Sequence, residues 1–195
     1  MSQTRENRRQ LLLNAAARLF REKGFDRATI RDLARAVNLQ SGSIFHYFGS
    51  KDDILVAVIE EAIDGAVARL QTAVATGDDT LTIVRALIRA ELGLVHDDAT
   101  RDGMEVTFYA WQSLAPDAVT HLLSRRNGYE AIWLEWLTKA KTEQLVHLEP
   151  TLLRRFLNGS QVWTVKWYRP DGKLDLDGLA DQTLALITGT SPQNT

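Results

Sequence analysis

The most chemically expressive stretch of the chain is Ser41-Gly42-Ser43-Ile44-Phe45-His46-Tyr47-Phe48. Ile44 and Phe48, four residues apart, can face a core. The others are small, aromatic or hydrogen-bonding, the types that approach base edges and phosphates closely in a major groove. Positive charge frames the stretch, with Arg5, Arg8 and Arg9 before it and Lys51 just after it. Lys51 falls at the start of a helix, where unpaired amides and the helix dipole also favour a phosphate. This is the chemistry of recognition rather than of bond breaking.

Catalytic arrangements are missing. No Gly-x-Ser-x-Gly elbow, phosphate loop or His-Glu-x-x-His occurs, so no enzyme activity and no cofactor are expected. His46, His96, His121 and His147 are scattered without ligand spacing, and there is no cysteine, so neither a metal site nor a disulfide framework is expected.

Net charge is −2, which argues against a polyanionic partner until it is divided along the chain. Residues 1–51 hold ten Lys/Arg and four Asp/Glu, net +6, whereas residues 52–195 hold thirteen and twenty-one, net −8. A basic head on an acidic body is the asymmetry expected when one end meets nucleic acid. The polar start, MSQTRENRRQ, is no secretory signal and no apolar run approaches a membrane span, so a cytoplasmic protein without a membrane partner is expected.

Apolar spacing is helical throughout, and the expected fold is all-α. A first helix over about 5–23 places Leu12, Ala15, Ala16, Leu19 and Phe20 on one face, with Gly24 as its left-handed stop. Thr29 caps a second helix, which turns Ile30, Leu33, Ala34 and Val37 inward and ends at Asn38. A third spans about 41–48. A fourth runs from about 50 to 75, with Ser50 and Asp53 as a variant capping box. Later helices read at about 79–96, 103–113, 117–142 (capped by Asp117), 150–168 (opened by Pro150, ended by Pro170) and 175–188, bracketed by Asp175 and Gly189. The terminal SPQNT is expected to lack fixed structure. The boundary between head and body is placed within the fourth helix, giving domains 1–51 and 52–195.

Residues 29–48 thus have a helix-turn-helix layout. The stretch 11–55 as a whole resembles the DNA-binding domain of the TetR family. It shares Ala-Ala-x-x-Leu-Phe, Lys-Gly-Phe, Ala-Thr-Ile-Arg-Asp-Leu-Ala, Gly-Ser-Ile-Phe-His-Tyr-Phe and Ser-Lys-Asp-Asp-Ile-Leu in order. The resemblance implies a three-helix DNA-binding head followed by a helical ligand-binding and dimerisation body. It implies a ligand-responsive repressor that binds a palindromic operator on double-stranded DNA as a homodimer. Thr29, Arg31, Ser41, Gly42, Ser43, Phe45, His46, Tyr47 and Lys51 become DNA contacts alongside Arg5 and Arg8. Tyr47 and Lys51 are expected on phosphates, Ser43 and His46 on bases. Three positions depart from the pattern. Phe45 stands where Tyr is usual, Asn38 replaces the turn glycine, and Gln40 replaces the Ser cap, so that Ser41 caps in its place. Phe45 is left open between core and contact.

The same resemblance assigns the subunit interface to the helices at about 117–142 and 150–168, where Leu152, Phe156, Gly159, Ser160 and Trp163 recur at helical spacing. All five Trp lie in the body. Phe108, Trp111, Gln112, His121, Trp133, Trp163 and Trp167 are expected to line an apolar ligand cavity with a few polar groups, although aromatic spacing of this kind also describes a core. Residues 163–188, from Trp-Thr-Val-Lys-Trp-Tyr-Arg-Pro and Asp-Gly-Lys-Leu into the final helix, are similar to a TetR subgroup that senses acyl-CoA thioesters of fatty-acid or steroid breakdown. That likeness implies Lys166 and Arg169 for the CoA phosphates. Two alternatives stand beside the repressor: a helical protein-interaction module without DNA binding, and a ligand-dependent activator.

Overall fold

The computed structural model describes residues 2–190, with side chains from Arg5 onward; the expectation for the SPQNT tail concerns residues outside that range. Every regular element among the described residues is helical, as expected: α1 (Ser2–Lys23), α2 (Ile30–Ala36), α3 (Ser41–Ile44), α4 (Lys51–Ala75), α5 (Thr80–His96), α6 (Asp98–Tyr109), α7 (Pro116–Thr142), α8 (Pro150–Trp163) and α9 (Leu176–Thr188). Short 3-10 turns, Ala110–Ser113 and Thr164–Lys166, extend α6 and α8. None of the described helices is long and apolar enough to cross a membrane.

The element ends follow local chemistry. Gly24 adopts φ +79° and its amide closes α1 on the Phe20 carbonyl at 2.8 Å. Asn38 takes φ +54°, a conformation its short polar side chain tolerates, and the next amide, of Leu39, returns to Ala34 O. Asp175 caps α9 through the Gly178 amide, and Gly189 at φ +71° ends it. Four expectations need correction. α6 begins at Asp98 rather than at about 103, with Asp98 in its first turn. α3 is a single turn, Ser41–Ile44, because residues 45–47 relax into a turn. Gln40, not Ser41, occupies the cap of α3 and makes no side-chain bond there. Asp117 lies inside the first turn of α7, which begins at Pro116.

The chain divides into two compact units, residues 1–64 with 98–125, and residues 65–97 with 126–195. In the first, Leu12, Leu13, Ala16 and Phe20 of α1 bury themselves with Leu33, Ala34, Ile44, Phe48 and the Ile54–Ile59 stretch of α4. α6 packs along α1 in this unit, where Arg21 Nε meets Asp102 at 2.7 Å and Glu105 at 3.8 Å. In the second unit α9 lies on α5. Arg85 of α5 pairs with Asp181 and Asp177, and Arg89 with Asp177. α8 packs on α5 around a buried ion cluster. Arg154 is 3% exposed, donates to both oxygens of Glu91 (3.2 and 3.0 Å) and to Glu130 (3.0 Å), and lies over the rings of Trp133 and Tyr129.

Candidate nucleic-acid interface

Thr29 sets the angle at which α2 begins. Its hydroxyl accepts from the Asp32 amide (3.1 Å) while Asp32 Oδ2 accepts from the Thr29 amide (3.3 Å), a complete capping box. The hydroxyl also donates to Asp32 at 2.9 Å. That hydrogen bond, with Lys23 second, holds the Asp32 carboxyl below the usual carboxylate range. Thr29 is therefore exposed but committed, and its first role is to fix the helix that α3 packs against.

Ile44, fully buried, and Phe48, 6% exposed, anchor the segment that follows the turn. That anchoring turns Gly42, Phe45 and His46 outward at i, i+3 and i+4, with Ser41, Ser43 and Tyr47 half-buried beside them. Phe45 is 53% exposed, which settles its place on the surface rather than in the core. A Cβ added at Gly42 would meet nothing within 4 Å, so no packing within the chain accounts for the glycine. The exposed face thus presents a glycine, an aromatic ring and an imidazole.

The cations around this face differ in how far they are engaged. Arg5 reaches the His46 carbonyl at 3.4 Å, and Arg9 lies over the Phe48 ring. Arg8 and Arg31 are exposed and have no ion-pair partner among the described residues. Lys51 is half-buried and folded back onto the chain: its ammonium donates to the carbonyls of Phe25 (2.9 Å), Ala28 (3.1 Å) and Asp26 (3.5 Å) and sits 4.2 Å from the Phe25 ring centroid. The α4 N-terminus is likewise occupied. Ser50 Oγ accepts from the Asp53 amide, and Asp52 and Asp53 already offset the dipole in the first turn. The eleven residues predicted to touch DNA come from α1, the α2 cap and the 41–51 segment. Within that set, Arg8, Arg31, Gly42, Phe45 and His46 are the exposed ones whose side chains take no part in internal bonding.

The residues predicted to line a ligand cavity are spread over the body. Phe108 and Trp111 are half-buried and Gln112 is exposed, while His121 is exposed and paired with Glu60. Trp133 is fully buried against Arg154, whereas Trp163 and Trp167 are 63% and 51% exposed. Trp163 and Trp167 therefore stand at the surface of their unit, and Trp133 does not. Two hollows, of about 270 and 590 Å³, are lined by other residues, the first by Phe20, Phe25 and Tyr109 and the second by Leu134, Thr138 and Pro150. Nothing in the sequence pattern points to the buried polar residues Glu91, Arg154 and Gln161, with half-buried Asn158 beside them. An Arg and a Gln seven apart in a helix carry no signal that distinguishes a buried face from a wet one.

Comparison with known proteins agrees with this geometry. A model described as "Bacterial regulatory proteins, tetR family" matches residues 12–58, and one described as "Tetracyclin repressor-like, C-terminal domain" matches residues 77–190. The HTH-type transcriptional repressor KstR2 of Rhodococcus jostii (strain RHA1) is 28% identical over 97% of this chain and 95% of its own. The crystal structure of superantigen PfiT is 42% identical, with TM-score 0.82 over 94% of this chain and 97% of that one. AibR, solved in complex with isovaleryl coenzyme A and operator DNA, superposes with TM-score 0.83 over 94% of this chain and all of its own; at 20% identity it speaks for the fold.

Proposed function

Since this chain belongs to the TetR family of helix-turn-helix transcriptional regulators, DNA-binding proteins rather than enzymes, we propose that it is a ligand-responsive repressor that grips a palindromic operator as a homodimer. Residues 1–51 read the DNA, and residues 52–195 supply the dimer interface and the inducer site. The observation that carries this reading is the outward face of Gly42, Phe45 and His46, anchored by Ile44 and Phe48 and flanked by the unpaired Arg8 and Arg31. Arg8 and Arg31 hold phosphates, and Ser43 and His46 meet base edges.

A single such face binds weakly, and pairing two of them on half-sites one helical turn apart is the usual remedy. The α8 face supports it. Leu152, Phe156 and Trp163 are exposed at i, i+4 and i+11 around the small pair Gly159-Ser160, an apolar stripe that an isolated chain would leave in water. The inducer is a small, mostly apolar molecule. Residues 163–188 favour an acyl-CoA thioester, with exposed Lys166 and Arg169 available to its phosphates. Release follows when ligand binds a conformer whose heads no longer match the operator. As a bacterial regulator of this kind, the protein works in the cytoplasm.

Footprinting on DNA flanking its own gene tests the proposal. A two-fold protected site with half-sites one turn apart is expected, and protection of a single unpaired half-site contradicts it. The 42% identity to a chain described as a superantigen supports one second reading, a helical module that acts on other proteins. Failure to protect any duplex selects that reading.

A further inference from the structure

The buried side of α8 mixes Leu153 and Leu157 with a row of polar residues that meets α5. Arg154, Asn158, Gln161 and Thr164 recur at i, i+4, i+7 and i+10, one face of α8 continued into the 3-10 turn. Three of the four find partners on α5: Arg154 and Asn158 on Glu91 (3.0 and 3.2 Å), and Thr164 on His96, whose Nε2 is 2.7 Å from the threonine hydroxyl. Gln161 is the exception. It is 1% exposed, and neither its amide oxygen nor its amide nitrogen has a hydrogen-bond partner. Two further buried donors of the same unit, Nε1 of Trp133 and Nη2 of Arg154, are also unmatched.

Buried amides in folded proteins are almost always satisfied, and one left bare on both atoms is costly enough to need a reason. Packing does not supply it, because an apolar side chain of the same length would fill the space at less cost. A ligand does. On the reading that residues 52–195 form a ligand-binding body, we propose that Gln161 orients the inducer by taking a neutral amide or hydroxyl of a mostly apolar small molecule.

The chemistry of the group follows from the amide itself. Gln161 offers donors and an acceptor together, so its match must also donate and accept, as a secondary amide or a hydroxyl does. A carboxylate or phosphate offers acceptors only. It would also bring a charge into a buried seam whose one guanidinium, Arg154, is already paired with Glu91 and Glu130. Admission of such a group requires α5 and α8 to part at this level. The unmatched amide makes the closed seam less favourable, so ligand entry relieves a cost already present in the free protein.

The full-length Gln161→Met variant, close in volume and without the amide, separates the possibilities. The free variant is expected to melt about 3 °C above the parent, because an unsatisfied group has been removed. A lower melting temperature would mean that the amide is already satisfied in the free protein, by a trapped water for instance, and would overturn the proposal. Titration with isovaleryl-CoA is expected to show binding at least tenfold weaker in the variant, and equal affinity would also overturn it. If neither protein binds isovaleryl-CoA, the thioester reading and the assignment of Gln161 to such a ligand are both overturned, whatever the sign of the melting shift.

Discussion

The ammonium of Lys51, at the first residue of α4, grips the carbonyl of Phe25 at 2.9 Å and stands over the same residue's ring. With the Ala28 and Asp26 carbonyls its three hydrogens all have acceptors in the protein. The lysine thereby ties the α1–α2 turn to the start of α4, and through Ala28 it steadies the Thr29 cap of α2.

Lys51→Met is therefore expected to cost stability, about 1–3 kcal/mol for partly buried carbonyls that lose a charged donor. Operator affinity should fall with it, while the dependence of affinity on salt changes little. A loss of about two units of salt slope, one for each chain of the dimer, with unchanged stability would show that Lys51 serves a phosphate instead. Chemical denaturation together with binding at several salt concentrations reads both.

A second expectation concerns acid. The carboxyls of Asp32, Asp79, Asp181 and Glu22 are held below their usual range by hydrogen bonds from Thr29, Thr82, Arg85 and Arg18 respectively. Each favours the ionised form in the folded state, so below about pH 4 the unfolded chain takes up more protons. This contribution to stability is complete above the ordinary carboxylate range and is lost as pH falls below that range through the lowered values of the folded state. Thr29→Val removes the bond to Asp32 and should make the acid side of the stability–pH curve shallower. An unaltered curve would count against the capping box as its source.

The buried cluster of the second unit makes a sharper prediction. Burial opposes the charge on Arg154, but Glu91, Tyr129 and Glu130 together outweigh it and raise the guanidinium above its ordinary range. Arg154→Met strands Glu91, which is 2% exposed, and should cost about 3–5 kcal/mol. Adding Glu91→Leu should restore most of the loss, since a matched apolar pair can replace a buried ion pair. Thermal melting of the single and double variants decides; if the double variant is worse than the single, the pair is not the source of the cost.

Much of this arrangement was legible beforehand, for identifiable reasons. Caps and stops are local, so Gly24, Thr29, Asn38, Asp175 and Gly189 could be placed from residue type alone, and α4 and α9 came out within a residue or so of expectation. The sequence suggests a longer α3 than the structure has, because Ile44 and Phe48 keep the four-residue spacing of a helix although the backbone has already turned at 45–47. The sequence points Lys51 at a phosphate because a carbonyl cage contributed by residues 25–28 is a tertiary fact with no sequence spacing. The tryptophans illustrate the same limit. Trp133 and Trp163 read alike in the sequence, yet one is sealed in a core and the other stands largely in solvent.

The α8 stripe carries the dimer prediction. Phe156→Glu places a charge in the middle of the exposed Leu152, Phe156 and Trp163 face. Sedimentation equilibrium should show a dimer for the parent and a monomer for the variant, with operator affinity lowered at least a hundredfold. A variant that remains dimeric would move the interface elsewhere.

The most direct test of the account is fluorescence anisotropy of the full-length protein on a duplex from the DNA flanking its own gene, titrated with salt. The account predicts tight binding by two chains per site and a log–log slope steeper than about −4, with Arg8→Ala and Arg31→Ala each flattening it by about two units, one for each chain of the dimer. Salt-independent binding, or none to any duplex, would contradict it.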